Sequence, residues 1–147
     1  MYDQLKLENQ LCFRLYSASR LVTQAYRPLL EPLGLTYPQY LVMLVLWEHG
    51  SMTVGEIGEH LLLASNTLTP LLQRMEHEGL IVRSRGASDG RQTLVELTPK
   101  GKRLEHKAKD IPSCLTANWH SDRLTVEDMT ACAATLDGII YSLKSDS

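Results

Sequence analysis

The chain has 147 residues and a mass of 16.6 kDa, and 44% of its residues are hydrophobic, which is enough for one domain whose core needs no disulfide or metal. Its three cysteines are an odd number without a C-x-x-C pair, which excludes a secreted disulfide framework and a metal or redox motif of that kind. The longest apolar run, YLVMLVLW at 40–47, is too short to span a bilayer, and the first thirty residues show no basic segment followed by an apolar run. We therefore expect a soluble cytoplasmic protein without a membrane partner.

The formal net charge of −2 hides an uneven distribution of charge. Between Arg74 and Arg103, seven basic residues stand against four acidic ones, a balance of +3, while the rest of the chain carries −5. A basic segment inside an acidic chain is typical of a protein with one face that contacts phosphate. The charge pattern therefore predicts a nucleic-acid contact in the middle of the chain.

The N-terminal third of the chain predicts two helices. Apolar residues recur at steps of three and four over residues 5–30, which favours one long helix that Pro28 and Pro32 end. A second helix begins at Thr36 as N-cap and stops at Gly50. Its body is almost entirely apolar, so we expect it to be buried on all sides.

The segment that follows predicts a helix-turn-helix. Thr53 and Glu56 form a capping box for a short helix that ends near Leu61. Ser65 caps the next helix, which Gly79 terminates. Its inward stripe is Leu68, Leu71, Leu72 and Met75. Pro70 conflicts with this helix, because a proline about one turn in removes a backbone hydrogen bond.

Two β-branched runs, LIVRS and QTLVEL, are separated by RGASDGR, whose glycines and Asp-Gly pair are hairpin signals. A helix-turn-helix followed by a two-stranded hairpin is a winged helix. Thr98 with Pro99, and then Thr125 with Asp128, cap two further helices. The predicted fold is mostly α with a small β-hairpin. It is a single domain over 1–147, with a winged helix-turn-helix at about 53–98 and long dimerisation helices at 1–35 and 99–147.

The polar face of the helix from Ser65 is the candidate DNA-reading surface, because base edges are read by hydrogen-bonding side chains and phosphates by arginines and amides. Taken alone, this helix is better read as merely solvated, but the basic hairpin beside it reverses that preference. Arg91 at the hairpin tip is placed to enter a minor groove, with Asp89 to orient it. Arg83, Arg85 and Lys100 are read as phosphate contacts or solubilising charges. The candidate DNA-binding residues are Ser65, Asn66, Thr67, Thr69, Gln73, Arg74, Arg85, Asp89 and Arg91.

Cys12 admits two readings. A free cysteine usually packs as a small hydrophobe, and Cys12 lies next to Leu11 and Leu15, where it should face a seam between helices. A thiol becomes reactive when its thiolate is stabilised, and phenol hydroxyls can donate hydrogen bonds to it. Tyr16 lies one turn later, and five of the six tyrosines precede residue 41, although packing alone would also account for them.

Two long segments carry a family resemblance. QLCFRLYSASRLVTQAYRPLLEPLGLTYPQYLVMLVLWE resembles the N-terminal half of the organic hydroperoxide-sensing repressors of the MarR family, the OhrR type. NTLTPLLQRMEHEGLIVRSRGASDGRQTLVELTPKG resembles their recognition helix and wing. The resemblance covers essentially residues 5–105. It implies a homodimeric winged-helix repressor that releases a pseudo-palindromic DNA operator when peroxide oxidises its N-terminal cysteine.

The resemblance also implies roles for individual residues. Cys12 matches the sensing cysteine, Tyr26 and Tyr37 match the tyrosines that hydrogen-bond to it, and Tyr16 is an auxiliary candidate. The two-cysteine branch of the family has a resolving cysteine on the helix after the wing, at the position of Ala117 here. Cys114 lies one helical turn earlier and is the candidate resolving cysteine, in an intersubunit disulfide.

Cys132 lies on an apolar helical stripe and is read as core packing.

Two rival functions stay open. A thiol peroxidase would need a regenerating partner and would leave the DNA-binding half unexplained. A MarR-type repressor that responds to a small aromatic ligand has the same fold, so only the role of the cysteine distinguishes it from a redox-sensing repressor. The five histidines show no paired metal spacing. We expect no enzyme activity, no cofactor and no metal, with duplex DNA, a second copy of the chain and an organic hydroperoxide as partners.

Overall fold

The computed structural model describes residues 1–85, 92–117, 119 and 123–144. The chain divides into two compact units, Met1–Ile111 and Pro112–Ser147, each of which is described by itself. The expectation of one domain over 1–147 stays a prediction. The first unit contains, in chain order, α1 (Leu11–Leu30), α2 (Tyr37–His49), β1 (Met52–Thr53), α3 (Val54–Leu61), α4 (Ser65–His77), β2 (Ile81–Arg85), β3 (Thr93–Leu97) and α5 (Pro99–Ala108).

The first helix differs from the prediction at both ends. Residues 3–9 form two 3₁₀ turns instead of helix, because the Asn9 and Gln10 side chains donate to the backbone carbonyls of Asp3 and Gln4 at 2.7 and 2.8 Å. At the other end Pro28 does not stop the helix. It lies in the last turn of α1, where the one backbone bond it removes is close to the helix end.

The second helix is confirmed with both its caps. The Thr36 hydroxyl accepts the Gln39 N–H at 3.4 Å, and the Gln39 side-chain oxygen accepts the Thr36 N–H at 3.1 Å, which is a full capping box. Gly50 ends the helix with a φ of +79°. The body is buried along most of its length, although Leu44 is exposed. Thus α2 runs through the core of the unit.

The helix-turn-helix is confirmed, with one correction at its second helix. Thr53 caps α3 and accepts the Glu56 N–H at 3.2 Å. Ser65 is not the cap of α4. Ala64 holds that position, because the turn closes early: the Leu63 N–H bonds the Gly58 carbonyl at 3.0 Å, and α4 begins directly after Ala64.

The conflict at Pro70 is real. The residue lies inside α4, so the Asn66 carbonyl oxygen lacks its usual donor four residues on. The N-cap, Ala64, also offers no side-chain hydrogen bond to the first turn. The N-terminal half of α4 therefore has fewer internal hydrogen bonds than an uninterrupted helix would have.

We expect Gly58→Ala to lower the free energy of unfolding by about 1–3 kcal/mol, the range for overpacking. Its methyl group would lie 2.8 Å from the Leu63 carbonyl oxygen in the turn. The matched control is Gly55→Ala in the same helix, whose methyl group would meet only the Thr53 hydroxyl oxygen at 3.9 Å. Urea unfolding compares the two variants, and equal stabilities would contradict the close packing of the turn.

The wing is confirmed as an antiparallel pair, with Ile81 opposite Leu97 and Arg85 opposite Thr93. The structure adds a third strand, since β1 pairs with β3 and the sheet order is β1-β3-β2. A strand of two residues has no alternation that could have predicted it. Residues 86–91 at the tip lie outside the described residues.

The helix predicted after the wing is two helices. Thr98 caps α5 as expected and accepts the Gly101 N–H at 3.1 Å, but α5 ends at Ala108. A separate helix, α6, covers Ile111–Ala117. The break falls there because Pro112 has no N–H to donate to the Ala108 carbonyl.

The core of the first unit lies between α2, the helix-turn-helix and the sheet. Its largest fully buried apolar side chains are Leu30, Val42, Met43, Leu46, Ile57, Leu68, Leu72, Met75, Ile81 and Val95. Among the described residues, no single helix is both long and apolar enough to cross a membrane. The pair Leu11–Leu33 and Tyr37–His49 meets those criteria of length and composition only jointly and is bent by 69°.

The second unit contains α7 (Val126–Lys144). Its capping box is confirmed, because the Thr125 hydroxyl accepts the Asp128 N–H and the Asp128 carboxylate accepts the Thr125 N–H, both at 3.0 Å. None of the described α7 residues is buried, so the reading of Cys132 as core is wrong for the single chain. The apolar stripe of α7 that suggested a core is therefore not buried in the single chain.

Candidate nucleic-acid interface and thiol site

Helix α4 separates its residues into two faces, as predicted. Leu68, Leu72 and Met75 are fully buried and fix the helix to the core. The candidate reading residues Ser65, Asn66, Thr67, Gln73 and Arg74 are exposed, and Thr69 is half-buried. The polar face therefore lies on the outside of a rigidly packed helix, which is the arrangement a major-groove reader needs.

Two of the basic residues near the wing are bound within the protein. The Glu76 carboxylate accepts the Arg83 backbone N–H at 2.9 Å and its guanidinium at 3.1 Å. These hydrogen bonds, the backbone bond most strongly, hold the pKa of Glu76 below its usual value. Lys100 Nζ donates to the Glu78 carbonyl at 2.9 Å. The reading of Arg83 and Lys100 as phosphate contacts or solubilising charges stays a prediction, and the structure adds that both tie the end of α4 to neighbouring segments.

The remaining candidates lie on the wing. Arg85, the last residue of β2, is exposed. Asp89 and Arg91 lie outside the described residues, so their predicted roles stay predictions.

The thiol of Cys12 lies in the first turn of α1 and is exposed in the single chain, not enclosed in a seam. Tyr16, one turn later, is 67% exposed. Tyr26 lies fourteen positions after Cys12 in one continuous helix, which is about 21 Å along the axis. The Tyr26 phenol therefore cannot reach Cys12 of its own chain.

Three tyrosines form a compact cluster where α1 meets the start of α2. The ring centroids of Tyr26 and Tyr37 are 4.7 Å apart, and those of Tyr26 and Tyr40 are 5.6 Å apart. Burial raises the pKa of Tyr26 to about 12, and charge repulsion from Tyr37 and Tyr40 adds to the rise. Burial also raises the pKa values of Tyr37 and Tyr40. Near neutral pH all three phenols therefore keep their protons and can act as hydrogen-bond donors.

Beside this cluster lies a cavity of about 300 Å³. Its lining includes Arg27, Thr23, Thr36 and Tyr37. The guanidinium and hydroxyls could bind a small carboxylate, while Glu31 in the same lining opposes one, and the volume is at the lower end for ligand pockets.

The other two thiols belong to the second unit. Cys114 on α6 and Cys132 on α7 are both free and exposed. The second unit thus offers two thiols that are open to reaction.

Comparison with known proteins agrees with the winged helix. Residues 24–108 match the family described as transcriptional regulator SarA/Rot. The organic hydroperoxide resistance transcriptional regulator of Bacillus subtilis (strain 168) is 54% identical over 114 residues, which are 78% of this chain and 78% of that protein. The chain belongs to the MarR family of transcriptional regulators. Within the MarR family it is of the organic hydroperoxide resistance, or OhrR, type.

Solved structures of MarR-type regulators extend the likeness to almost the whole chain. Reduced AbfR bound to DNA, a protein of Staphylococcus epidermidis, has a TM-score of 0.80 and 40% identity, covering 97% of this chain and 96% of that one. Disulfide-formed AbfR has a TM-score of 0.65 and 41% identity, covering 94% and 95%. This MarR-family chain is a DNA-binding transcriptional regulator with a winged-helix fold.

Sequence reasoning missed three functional candidates in this MarR-type chain. Tyr40 completes the phenol cluster, and the YPQY spacing was its only signal. Glu76 fixes the wing strand through Arg83, and Gln39 is buried against the end of α4. The last two depend on tertiary contacts, for which no local pattern exists.

Proposed function

We propose that this chain is a redox-sensing repressor that leaves its operator when an organic hydroperoxide oxidises Cys12. The observation that carries the proposal is an exposed thiol on α1 together with the protonated phenol of Tyr26, about 21 Å further along the same helix, where it meets Tyr37 and Tyr40 of α2. Two such helices crossing in opposite directions would bring each thiol to the other chain's phenols. The single chain therefore holds both halves of a sensor that only a second copy completes.

A homodimer also accounts for the exposed apolar surface. In the first unit Leu11, Phe13 and Leu21 on α1 are exposed, and in the second unit Ile140 and Leu143 on α7 are exposed. Large apolar side chains left exposed on both helices are candidates for an interaction surface. We propose that a second copy buries them, as in most closed oligomers with two-fold symmetry.

The phenols supply what the thiolate needs. In the proposed dimer, Tyr26 and Tyr37 of one subunit donate hydrogen bonds to the Cys12 thiolate of the other, while Tyr16 lies beside Cys12 on its own helix. Hydrogen bonds to a charged acceptor are the strong kind, so a thiolate can form without a nearby cation.

The oxidation step is a displacement at oxygen. The Cys12 thiolate attacks the terminal oxygen of the hydroperoxide, the S–O bond forms as the O–O bond breaks, and the departing alkoxide takes up a proton to become an alcohol. Cys12 is left as a sulfenic acid. A regulator consumes about one equivalent of hydroperoxide per thiol, whereas a peroxidase enzyme would turn over many, and we propose the former.

The second step is condensation with another thiol. The Cys114 thiolate of the second subunit attacks the sulfenic sulfur, and hydroxide leaves and is protonated to water. The disulfide-formed state of AbfR supports such an outcome. Free thiols in three positions fit a reducing cytoplasm as the place where the resting protein works.

After one equivalent of cumene hydroperoxide per Cys12 thiol, that is one per chain, we expect wild type to run at twice the chain mass on a non-reducing gel. Cys114→Ser should stay at the single-chain mass, because its sulfenic acid has no resolving thiol. Cys132→Ser is the matched control, since Cys132 is equally free and exposed in the same unit. Loss of the crosslinked band in Cys132→Ser but not in Cys114→Ser would assign the resolving role to Cys132 and refute it for Cys114.

The DNA contact follows from α4 and the wing. We propose that the two α4 helices of a dimer enter successive major grooves of a pseudo-palindromic operator. Asn66, Thr67, Thr69 and Gln73 would read base edges, and Ser65 and Arg74 would contact phosphates. Arg85 would meet the flanking backbone, and the predicted roles of Asp89 and Arg91 extend the contact to the wing.

We expect Arg74→Ala to weaken DNA binding about tenfold and to lower the salt slope by about one, because one phosphate contact is lost. The probe is a duplex selected from a random-sequence library by the reduced wild-type protein, hereafter the selected duplex. The matched control is Arg103→Ala, an exposed arginine on α5 outside the winged helix-turn-helix. An unchanged salt slope for Arg74→Ala would show that Arg74 does not contact a phosphate.

A second candidate function is a response to a small aromatic acid, favoured by the cavity beside Arg27. Salicylate added to the reduced complex with the selected duplex tests it directly. Release that persists in Cys12→Ser would favour this function over redox sensing. A complex that stays bound to the duplex in salicylate but dissociates after hydroperoxide is added would favour the redox function.

A further inference from the structure

One buried amide lies between the tyrosine cluster and the recognition helix. Gln39, in the first turn of α2, is 1% exposed and is the one buried polar side chain among the described residues. Its side-chain oxygen accepts the Thr36 N–H at 3.1 Å, and its NH₂ donates to the Glu78 carboxylate at 3.4 Å. The amide oxygen therefore binds the start of its own helix, and the amide NH₂ binds the residue that follows α4.

The α2 end of this link belongs to the phenol cluster. In the sequence Gln39 stands between Tyr37 and Tyr40, whose rings both pack against that of Tyr26 in a tilted arrangement. Because these residues share one helical turn, a displacement of the Tyr37 ring that shifts the backbone moves the Gln39 amide with it.

The other end of the link fixes the end of α4. The Glu78 N–H bonds the Arg74 carbonyl at 3.0 Å, and the Glu78 carbonyl accepts Lys100 Nζ at 2.9 Å. Glu78 thus ties the last turn of the recognition helix, where Arg74 lies, to the start of α5. Its side chain is exposed, so it can be changed without opening the core.

We propose that Gln39 is the positioning residue that couples the tyrosine cluster to the recognition helix. The inference rests on the proposed redox function and names the contact through which oxidation at Cys12 reaches DNA. A buried amide is unfavourable when its partners leave it, and this amide has one partner at the start of α2 and the other after the end of α4. When the phenols lose the thiolate, the first turn of α2 shifts, and Gln39 draws the Glu78 end of α4 out of its DNA-bound position.

The measured quantity is the release factor, the ratio of Kd for the selected duplex after and before one equivalent of cumene hydroperoxide. Gln39→Leu keeps a side chain of similar volume but removes the amide. We expect it to reduce the release factor at least about fivefold, since typical couplings span about 5–150-fold. Glu78→Ala removes the same contact from the exposed side and should have the same effect. A general effect on DNA binding would change the Kd of the reduced and the oxidised protein equally and would leave the release factor unchanged.

Rescue separates coupling from simple structural damage. Glu78→Gln keeps an acceptor oxygen for the Gln39 amide and should retain the wild-type release factor. The double variant Gln39→Leu/Glu78→Ala should match Gln39→Leu, because that single variant already lacks the contact with Glu78 as well as the bond from the Thr36 N–H. Glu105→Ala, an exposed glutamate on α5, is the matched control and should release like wild type.

Two results would overturn the proposal. Release factors of Glu78→Ala and Gln39→Leu equal to wild type would show that the contact carries no coupling. An equal loss in Glu78→Ala and Glu78→Gln would show that charge, not the amide contact, matters. If Gln39→Leu does not fold, the Glu78 pair decides alone. Failure of the redox function itself is distinguishable, since wild type would then not release DNA at all.

Discussion

The double variant Tyr26→Phe/Tyr37→Phe is expected to require at least about tenfold more hydroperoxide for half-maximal release of the selected duplex. Each phenol is proposed to donate a hydrogen bond to a thiolate, and a bond to a charged group contributes about 1.5–3 kcal/mol. Losing that donor lowers the fraction of reactive thiolate, since about 1.4 kcal/mol corresponds to a factor of ten. Each single variant should have a smaller effect than the pair.

Phenylalanine keeps the rings, so this substitution isolates the hydroxyls. The tilted contact of rings 26 and 37, with centroids 4.7 Å apart, should persist in the variant, and the fold should be preserved. Tyr141→Phe, an exposed tyrosine of α7, is the control for general effects of removing a hydroxyl. If the double variant releases the duplex at the same hydroperoxide dose as wild type, the hydroxyls of Tyr26 and Tyr37 do not activate the thiol, and the two residues contribute only packing.

Local signals predicted the helix starts best. The capping threonines at 36, 53, 98 and 125 each accept the predicted backbone N–H, and Gly50 ends its helix with a positive φ. These features depend on three or four neighbouring residues, so the sequence contains nearly all the necessary information. The winged-helix order followed from them because short connections join adjacent elements.

Features that depend on competition between neighbouring contacts were predicted less well. The helix was expected to begin at residue 5, but the side chains of Asn9 and Gln10 bond backbone carbonyls and hold 3₁₀ turns there. The helix after the wing was expected to continue, but it breaks ahead of Pro112. In each case periodicity favoured a long helix, and one local contact or one missing N–H decided against it.

Tertiary contacts could not be predicted from spacing at all. Strand β1 exists because its two residues meet β3, and Arg83 bonds Glu76 across the turn between α4 and β2. The pairing of Gln39 with Glu78 joins residues 39 positions apart. The same limit applies to Cys12 and Cys132, which were expected to be enclosed and are exposed in the single chain.

The largest expected effect belongs to Cys12→Ser, which should abolish the response to hydroperoxide. Serine keeps the size of the side chain but has no thiolate, so neither the sulfenic acid nor the disulfide can form. The folded state should hardly change, because Cys12 is exposed in the chain. Binding of the reduced variant to the selected duplex should therefore equal that of wild type.

The decisive measurement is the Kd for the selected duplex before and after one equivalent of cumene hydroperoxide, in wild type, Cys12→Ser and the control Cys132→Ser. We expect the binding of wild type and Cys132→Ser to weaken by about 5–150-fold, the usual range of allosteric coupling. We expect no change for Cys12→Ser. Release of the duplex by Cys12→Ser at the same dose would contradict the proposal that Cys12 is the sensor.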